Sequence, residues 1–189
     1  MDIYSYFTDG AASMNFKNGQ YLREAGGWAF LLFINGEESL SQSGGCPLTT
    51  NNEMELYAIY ASIKDFLIKS KEKDIIEIYS DSSYCIDIFT QWAKNWQKNG
   101  WKKSNGKAIK NLNIIKIIWS LIEKINEKSC TLKFIKVEGH SSNVLNNRVD
   151  ELAVNAKMNA FKTGQTIGYN GIDDFLLGNK SNTANTIHP

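Results

Sequence analysis

The sequence predicts an α/β protein built on a five-stranded mixed sheet flanked by helices. Two runs rich in β-branched and aromatic residues, at 3–8 and 75–80, have strand length and each stop at an aspartate. Apolar residues recur at helical spacing over 56–67, 112–125 and 149–160. From the order of these elements we expect three antiparallel strands followed by two parallel strands.

The first three strands are predicted from turn signals. Residues 3–8 form a run that stops at the Asp9-Gly turn pair, and a long polar stretch follows. The apolar run 28–34 is closed by an Asn-Gly pair at 35–36, a strong two-residue hairpin signal. Residues 38–43 then form the return strand of an antiparallel meander.

The first helix is predicted over residues 49–70. Thr50 with Glu53 three residues later forms a capping box, which satisfies backbone N–H groups at a helix start. The buried stripe expected at helical spacing consists of Leu56, Tyr60, Ile63 and Leu67.

The remaining elements alternate between strand and helix. A strand at 75–80 precedes a helix at about 84–92, and a long helix carries its apolar stripe over 112–125. A last strand at 131–137 and a closing helix with a stripe over 149–160 complete the order.

Length and composition predict one domain with one core. The chain has 189 residues, is 42% hydrophobic and carries a net charge of +1. Residues 1–161 are expected to form the domain, and residues 162–189 a loosely attached or disordered tail with sparse apolar residues. Three widely spaced cysteines, and the lack of a signal peptide or a long apolar span, favour a cytoplasmic protein with no membrane partner.

Four acidic residues are expected to converge. Asp9 and Asp81 each end a strand run, and neighbouring strands lie ~4.8 Å apart. Two carboxylates at such a short distance either share a proton or bind a divalent cation between them. Oxygen ligands select Mg²⁺ or Mn²⁺. Glu55 and Asp150 each lie early in a predicted helix, beside a buried stripe. Alternatively, the aspartates start turns, Glu55 faces solvent, and Asp150 stabilises its helix dipole.

A basic segment at 88–122 contains seven lysines and no acidic residue. Such a surface can follow a phosphate backbone. Trp92, Trp96 and Trp101 form either a clamp for substrate or part of the core, and the core is favoured for Trp92 and Trp96. The alternative is a solvated lysine face without a partner.

Five sequence blocks, in this order, resemble the signature blocks of the type 1 ribonuclease H family. They are FTDG, TTNNEMEL, SDSSY, EGH and NNRVDELA, which contain Asp9, Glu55, Asp81, His140 and Asp150. Residues 90–111 of the basic segment are similar to the basic protrusion of that family. The resemblance covers residues 3–161 and implies the RNase H-like fold.

The resemblance implies a monomeric endonuclease that hydrolyses the RNA strand of RNA–DNA hybrids and leaves 5′-phosphate and 3′-hydroxyl ends. It implies two Mg²⁺ ions, with Mn²⁺ able to substitute: Asp9 would bind both, Glu55 and Asp81 would share one, and Asp150 would hold the other. His140 would shuttle protons or help product leave. A DNA nuclease of the resolvase or transposase type, and a hybrid-binding module without activity, remain as alternatives.

Eleven residues are candidate substrate contacts. They are Thr50, Asn51, Asn52, Ser83, Trp92, Trp96, Lys98, Trp101, Lys102, Lys103 and Asn146. Two features depart from the family: the loop after Asp9 is long, and Ser83 is shorter than the side chain usual at its position.

Overall fold

A computed structural model describes residues 1–13, 15–17, 19–139 and 143–168. Its strands are β1 (Ile3–Ala12), β2 (Asn15–Lys17), β3 (Gln20–Leu22), β4 (Glu24–Ile34), β5 (Glu37–Thr49), β6 (Ile75–Ser80) and β7 (Thr131–Lys136). Its α-helices are α1 (Asn51–Lys69), α2 (Ser83–Asp87), α3 (Ala93–Lys98), α4 (Leu112–Glu127) and α5 (Val144–Thr163), and a π-helical turn, Ile88–Trp92, joins α2 to α3.

The main sheet has the order β5-β4-β1-β6-β7. Strands β5, β4 and β1 pair antiparallel, whereas β6 pairs parallel with both β1 and β7. The predicted five-stranded mixed sheet is therefore confirmed. The parallel strands β1, β6 and β7 end at one edge of the sheet, and the loops that follow β6 and β7 meet there.

The first strand continues past the point predicted for its end. Asp9 lies inside β1, opposite Ala29 of β4, because the antiparallel pairing continues to Ala12. The parallel pairing with β6 stops earlier, at Thr8 and Ser80. The turn predicted at Asp9 and Gly10 is therefore wrong. Part of the long polar stretch forms a separate two-stranded hairpin, β2 and β3.

Helix α1 begins as the capping box predicts. Thr50 is its N-cap, and the Thr50 hydroxyl accepts a hydrogen bond from the Glu53 backbone N–H at 3.3 Å. The predicted stripe is confirmed, since Leu56, Tyr60 and Ile63 are buried and Leu67 packs against the same core. The buried surface is wider than the stripe, however, because residues 54–63 are all buried. The helix is enclosed by the sheet on one side and by α4 on the other, and for this reason its charged Glu55 is buried as well.

Helices cover both faces of the sheet. The larger core cluster joins the sheet to α1 and α4, and the smaller one joins Ala29 and Leu31 of β4 to Val149 and Ala153 of α5. Helix α5 runs to Thr163, and Ile167 forms an antiparallel bridge with Gly45 of β5. The domain boundary at residue 161 stays a prediction, and residues 169–189 lie outside the described residues. Among the described helices, none has the length and apolarity needed to cross a bilayer.

Gly27 of β4 sets how closely α5 approaches the sheet. A Cβ atom at this position would lie 2.1 Å from the Ala153 carbonyl oxygen and 2.4 Å from the Lys157 backbone nitrogen. Both neighbours are helix backbone, so neither can move aside without shifting α5. The close contact between α5 and β4 therefore depends on a residue without a side chain.

We expect Gly27→Ala to lower the free energy of unfolding by about 3 kcal/mol, the upper end for overpacking. Chemical denaturation followed by circular dichroism measures it. Gly106→Ala is the matched control, because a Cβ atom at this position would have no neighbour within 4 Å. The positive φ of 74° at Gly106 should alone lower the free energy of unfolding of this variant, by about 1 kcal/mol. Equal losses at the two positions would contradict the packing account.

Candidate metal centre

Asp9 is held at the centre of the sheet. Strand β1 lies between β4 and β6, and the Asp9 residue is 6% exposed. The Gly10 backbone N–H donates to Asp9 Oδ1 at 2.8 Å, which fixes the carboxylate next to its own strand. Gly10 also lets helix α1 approach, since a Cβ atom there would lie 2.2 Å from the Glu55 backbone nitrogen. This contact brings Glu55 beside Asp9.

Glu55 is oriented from the first turn of α1. Asn51 lies one turn earlier, and its Nδ2 is 3.5 Å from Glu55 Oε1. The Asn51 side-chain oxygen in turn accepts from the Ala12 backbone N–H at 3.1 Å, so Asn51 ties the end of β1 to the start of α1. The other oxygen, Glu55 Oε2, is buried and has no hydrogen-bond partner among the described residues. A buried carboxylate oxygen without a donor is well suited to bind a cation.

Asp81 directly follows β6 and is half-buried. The Lys136 ammonium, at the end of β7, donates to the Asp81 backbone carbonyl. Gly139 crosses close to the carboxylate, because a Cβ atom at this position would lie 2.7 Å from Asp81 Oδ2. The loops after β6 and β7 therefore enclose the Asp81 side chain from one side and leave the side toward Asp9 open.

Carboxylate oxygens of Asp9, Glu55 and Asp81 all lie within 4.8 Å of one another. Asp150 is outside this triad but contacts it, since its charge and a side-chain hydrogen bond both raise the pKa of Asp9. Asp150 lies in the second turn of α5, one residue after the buried Val149. The structure thus brings together the four acids that the sequence predicts to converge.

Burial and neighbouring charges make Asp9 and Glu55 hard to ionise in the absence of a cation, because both raise the pKa of each group. Burial, and next the charge of Asp81, raise the pKa of Asp9 to about 8. The pKa of Glu55 lies well above its ordinary value, chiefly through burial and then through the charge of Asp9, although the charge of Lys136 opposes this. A divalent cation between the carboxylates would remove the repulsion. An all-oxygen donor set that includes the unpartnered Glu55 Oε2 fits a hard cation such as Mg²⁺.

The carboxylates line a cleft with a volume of about 440 Å³. Ser83, at the start of α2, and the buried Asn146 of α5 line the same cleft, as predicted for substrate contacts. Asn51 also lines it, and Asn51 faces a second groove of about 440 Å³ as well. Thr50, Asn52 and Lys110 line this second groove. The two concavities share Asn51, at the start of α1.

The basic segment lies beside this surface. Rings of Trp92 and Trp96 have centroids 5.7 Å apart and pack against the larger core cluster, the arrangement favoured from the sequence. Trp101 also packs there, with the Lys116 ammonium 5.6 Å from its ring centroid. Three lysines of the segment, Lys98, Lys102 and Lys103, are exposed, and none of them forms an ion pair with a described residue.

Sequence reasoning missed several residues that shape the site. Lys136 carries a charge next to Glu55 and Asp81, and only the parallel pairing of β6 with β7 brings it there. Tyr84 lines the cleft, and its hydroxyl accepts from Asn111 Nδ2 at 3.2 Å, which ties the end of the basic segment to the site. No local sequence pattern marks a lysine in a strand or a tyrosine in a helix as part of a metal site. His140 lies outside the described residues, and its role stays a prediction.

Comparison with known proteins decides the family. The RNase H family model matches residues 2–158. The ribonuclease H of Acetivibrio thermocellus is 38% identical over 154 residues, which are 81% of this chain and 93% of that protein. The chain belongs to the type 1 ribonuclease H family. The alignment with this relative therefore covers nearly all of the residues that the structure describes.

Solved structures show the ribonuclease H fold independently. LC9-RNase H1, described as a type 1 RNase H with the type 2 active-site motif, superimposes with a TM-score of 0.60 at 22% identity, covering 92% of this chain and 80% of that one. LC11-RNase H1, solved in complex with an RNA/DNA hybrid, gives a TM-score of 0.57 at 19% identity, covering 83% and 98%. At these identities the likeness concerns the fold alone.

The raised pKa of Asp9 predicts how stability depends on pH in the absence of metal. Asp9 binds a proton more tightly in the folded chain than in the unfolded chain, so the free energy of unfolding should fall as pH rises from about 5 to about 8. Thermal unfolding in EDTA across this range measures it. Saturating Mg²⁺ should flatten the slope, because the cation keeps the carboxylates ionised in the folded state.

Asp9→Asn should reduce the slope of the free energy of unfolding against pH in EDTA. Glu55 also has a raised pKa and should account for the slope that remains. Glu151→Gln, an exposed acid beside Asp150, is the matched control and should keep the full slope. Stability in EDTA that is flat or rises with pH in this range would contradict the clustered, buried site.

Proposed function

We propose that this ribonuclease H cuts the RNA strand of RNA–DNA hybrids endonucleolytically and leaves 5′-phosphate and 3′-hydroxyl ends. The observation that carries the proposal is the carboxylate triad, with oxygens within 4.8 Å of one another, at the base of a cleft in a member of this family. The complex of LC11-RNase H1 with an RNA/DNA hybrid supports the choice of substrate. Two Mg²⁺ ions, when bound, would activate the attacking water and stabilise the leaving oxygen.

The carboxylates divide naturally between two cation positions. Asp9 belongs to the triad with Asp81 and Glu55, and Asp150 lines the same cleft, which supports a contribution of Asp9 to both positions. Glu55 and Asp81 would complete one position, and Asp150 the other. Lys136 would limit the excess negative charge near Glu55. His140 is proposed to transfer protons or release product from the loop between Gly139 and the first turn of α5.

Residues around the start of α1 would hold the hybrid. Choosing RNA over DNA requires contacts to the 2′-hydroxyl, which short amide side chains in a minor groove can make. Asn52 is exposed on the second groove and Asn51 lines both concavities, which supports a role for these two residues in that contact. Thr50, Ser83 and Asn146 are proposed to contact the backbone near the cut.

The basic segment would follow the phosphates that lead away from the cut. Lys98, Lys102 and Lys103 are exposed, and the tryptophans that support them pack inward. The same lysines therefore act on affinity and not on the chemical step. A monomer is sufficient for this arrangement, since all four acids come from one chain, and size-exclusion chromatography with light scattering tests that state.

A substrate panel with one matched pair of variants tests the function. A labelled hybrid, duplex DNA, duplex RNA and single-stranded RNA are each incubated with and without Mg²⁺, and only the hybrid with Mg²⁺ should be cut. Asp81→Asn should keep hybrid affinity, yet its kcat should fall by about a thousandfold or more because a metal ligand is lost. Glu151→Gln should leave kcat unchanged.

Cleavage of duplex DNA in preference to the hybrid would identify a DNA nuclease instead. Hybrid binding without cleavage under any metal would identify a binding module. Unchanged turnover in Asp81→Asn would reject the assignment of the carboxylates.

Neutralising Lys98, Lys102 and Lys103 to glutamine should raise KM and leave kcat nearly unchanged. The dependence of log Kd on log salt should become shallower, by about 0.9 for each lysine that contacts a phosphate. Fluorescence anisotropy of the Asp81→Asn background with labelled hybrid, at several salt concentrations, measures the slope.

The matched control removes the same charge at the opposite end of the sheet, through Lys71→Gln, Lys73→Gln and Lys124→Gln. The first two lie before β6, in the turn that follows α1, and the third lies in the last turn of α4. Their salt slope should equal that of the unmodified protein. If the two triple variants respond alike, net charge and not the basic segment governs binding.

A further inference from the structure

An aromatic groove lies away from the carboxylates, between the later turns of α1 and the edge strand β5. It has a volume of about 270 Å³, and Trp28, Tyr57 and Tyr60 form part of its wall. Ile68 of α1 stands on its rim with 78% of its surface exposed. Large apolar side chains at this exposure beside an aromatic groove are typical of a surface that is covered by another segment.

The described chain ends at this groove. Ile167 and Gly45 exchange two backbone hydrogen bonds of 2.9 Å, which sets the chain antiparallel to β5. The next residue, Gly168, lines the groove itself. The chain that follows Gly168 therefore starts at the groove, and no long linker is needed to reach it.

Residues 172–177 have the composition that fits this groove. They read Ile-Asp-Asp-Phe-Leu-Leu, with four apolar side chains and two acidic ones. Lys64 of α1 lies in the groove, with its ammonium 5.5 Å from the Tyr60 ring centroid. Asp173 and Asp174 complement that charge. After residue 177 the chain is mostly polar, and Ile187 is an isolated exception.

Continued pairing along β5 is the competing path, and the residues that would face each other disfavour it. In the register set by the Ile167 bridge, Asp174 would lie opposite Glu38, and Phe175 would lie opposite Glu37. Glu38 already forms an ion pair with Arg148, so a second acidic residue opposite Glu38 would gain no free cation, and the aromatic ring would gain no apolar partner. The groove instead offers Lys64 to the carboxylates and an aromatic wall to the ring, and the acidic Asp65 that also lines the groove is paired with Lys69.

We propose that residues 172–177 turn away from the β5 edge and occupy the groove, with Phe175 and the two leucines against the aromatic wall. From Gly168 to Phe175 an extended chain spans up to about 23 Å, which is ample for a groove that begins at Gly168. The occupied groove would brace the later turns of α1, the helix that carries Glu55.

Thiol crosslinking in the full-length chain tests this. The pair Ile68→Cys and Leu176→Cys, treated with a short bismaleimide, should crosslink within one chain at least about tenfold faster than the pair Met158→Cys and Leu176→Cys. Met158 is a suitable control because it is an apolar residue on α5, outside the groove, with 48% exposure. The three native cysteines are buried and should not compete.

Exchanging the charges of Lys64 and of the two aspartates tests the electrostatic contact separately from the apolar packing. Lys64→Glu should slow the crosslinking of the first pair, and adding Asp173→Lys with Asp174→Lys should restore it. Ile187→Ser should change nothing, whereas Phe175→Ser should slow the reaction. Equal rates for the two cysteine pairs, or a product that joins two chains, would overturn the proposal, the latter in favour of a second copy as the occupant.

Discussion

Repulsion among clustered carboxylates is the constraint on which this structure depends. Three acid side chains meet within 4.8 Å in a partly buried cleft, where burial and then the neighbouring charges raise the pKa of Asp9 and of Glu55. The folded chain tolerates this only with bound protons or with a bound cation. Much of the surrounding architecture can be understood as the means of holding that unfavourable cluster in place: a central strand for Asp9, an enclosed helix for Glu55 and a loop junction for Asp81.

Close backbone contacts hold the cluster together. Gly10 lets α1 lie against β1, and Gly139 lets the loop after β7 pass Asp81. Asn51 links the end of β1 to Glu55 through its amide. Backbone positions and the Asn51 amide thus fix the acids, and none of the four forms an ion pair with a residue that the structure describes. A cation entering the cleft would find the ligands already in place, which lowers the cost of ordering them.

The five-stranded mixed sheet, the helix cap at Thr50 and the convergence of four acids followed from the sequence, because strand period, capping and the acidic residues that follow strand-like runs are local signals. The length of β1 did not follow. Asp-Gly usually marks a turn, but here the glycine serves a close helix contact that is set only by the tertiary fold. The burial of α1 and the place of Lys136 likewise depend on neighbours far along the chain.

The most direct measurement of the central claim is Mg²⁺ binding by isothermal titration calorimetry at about pH 7.5, without substrate. The account predicts saturable binding that releases protons, since acids with raised pKa values must ionise when the cation enters. Glu55→Gln should weaken that binding more than about tenfold, and Glu151→Gln should not. Equal Mg²⁺ affinity in the two variants, with no proton release, would contradict the account.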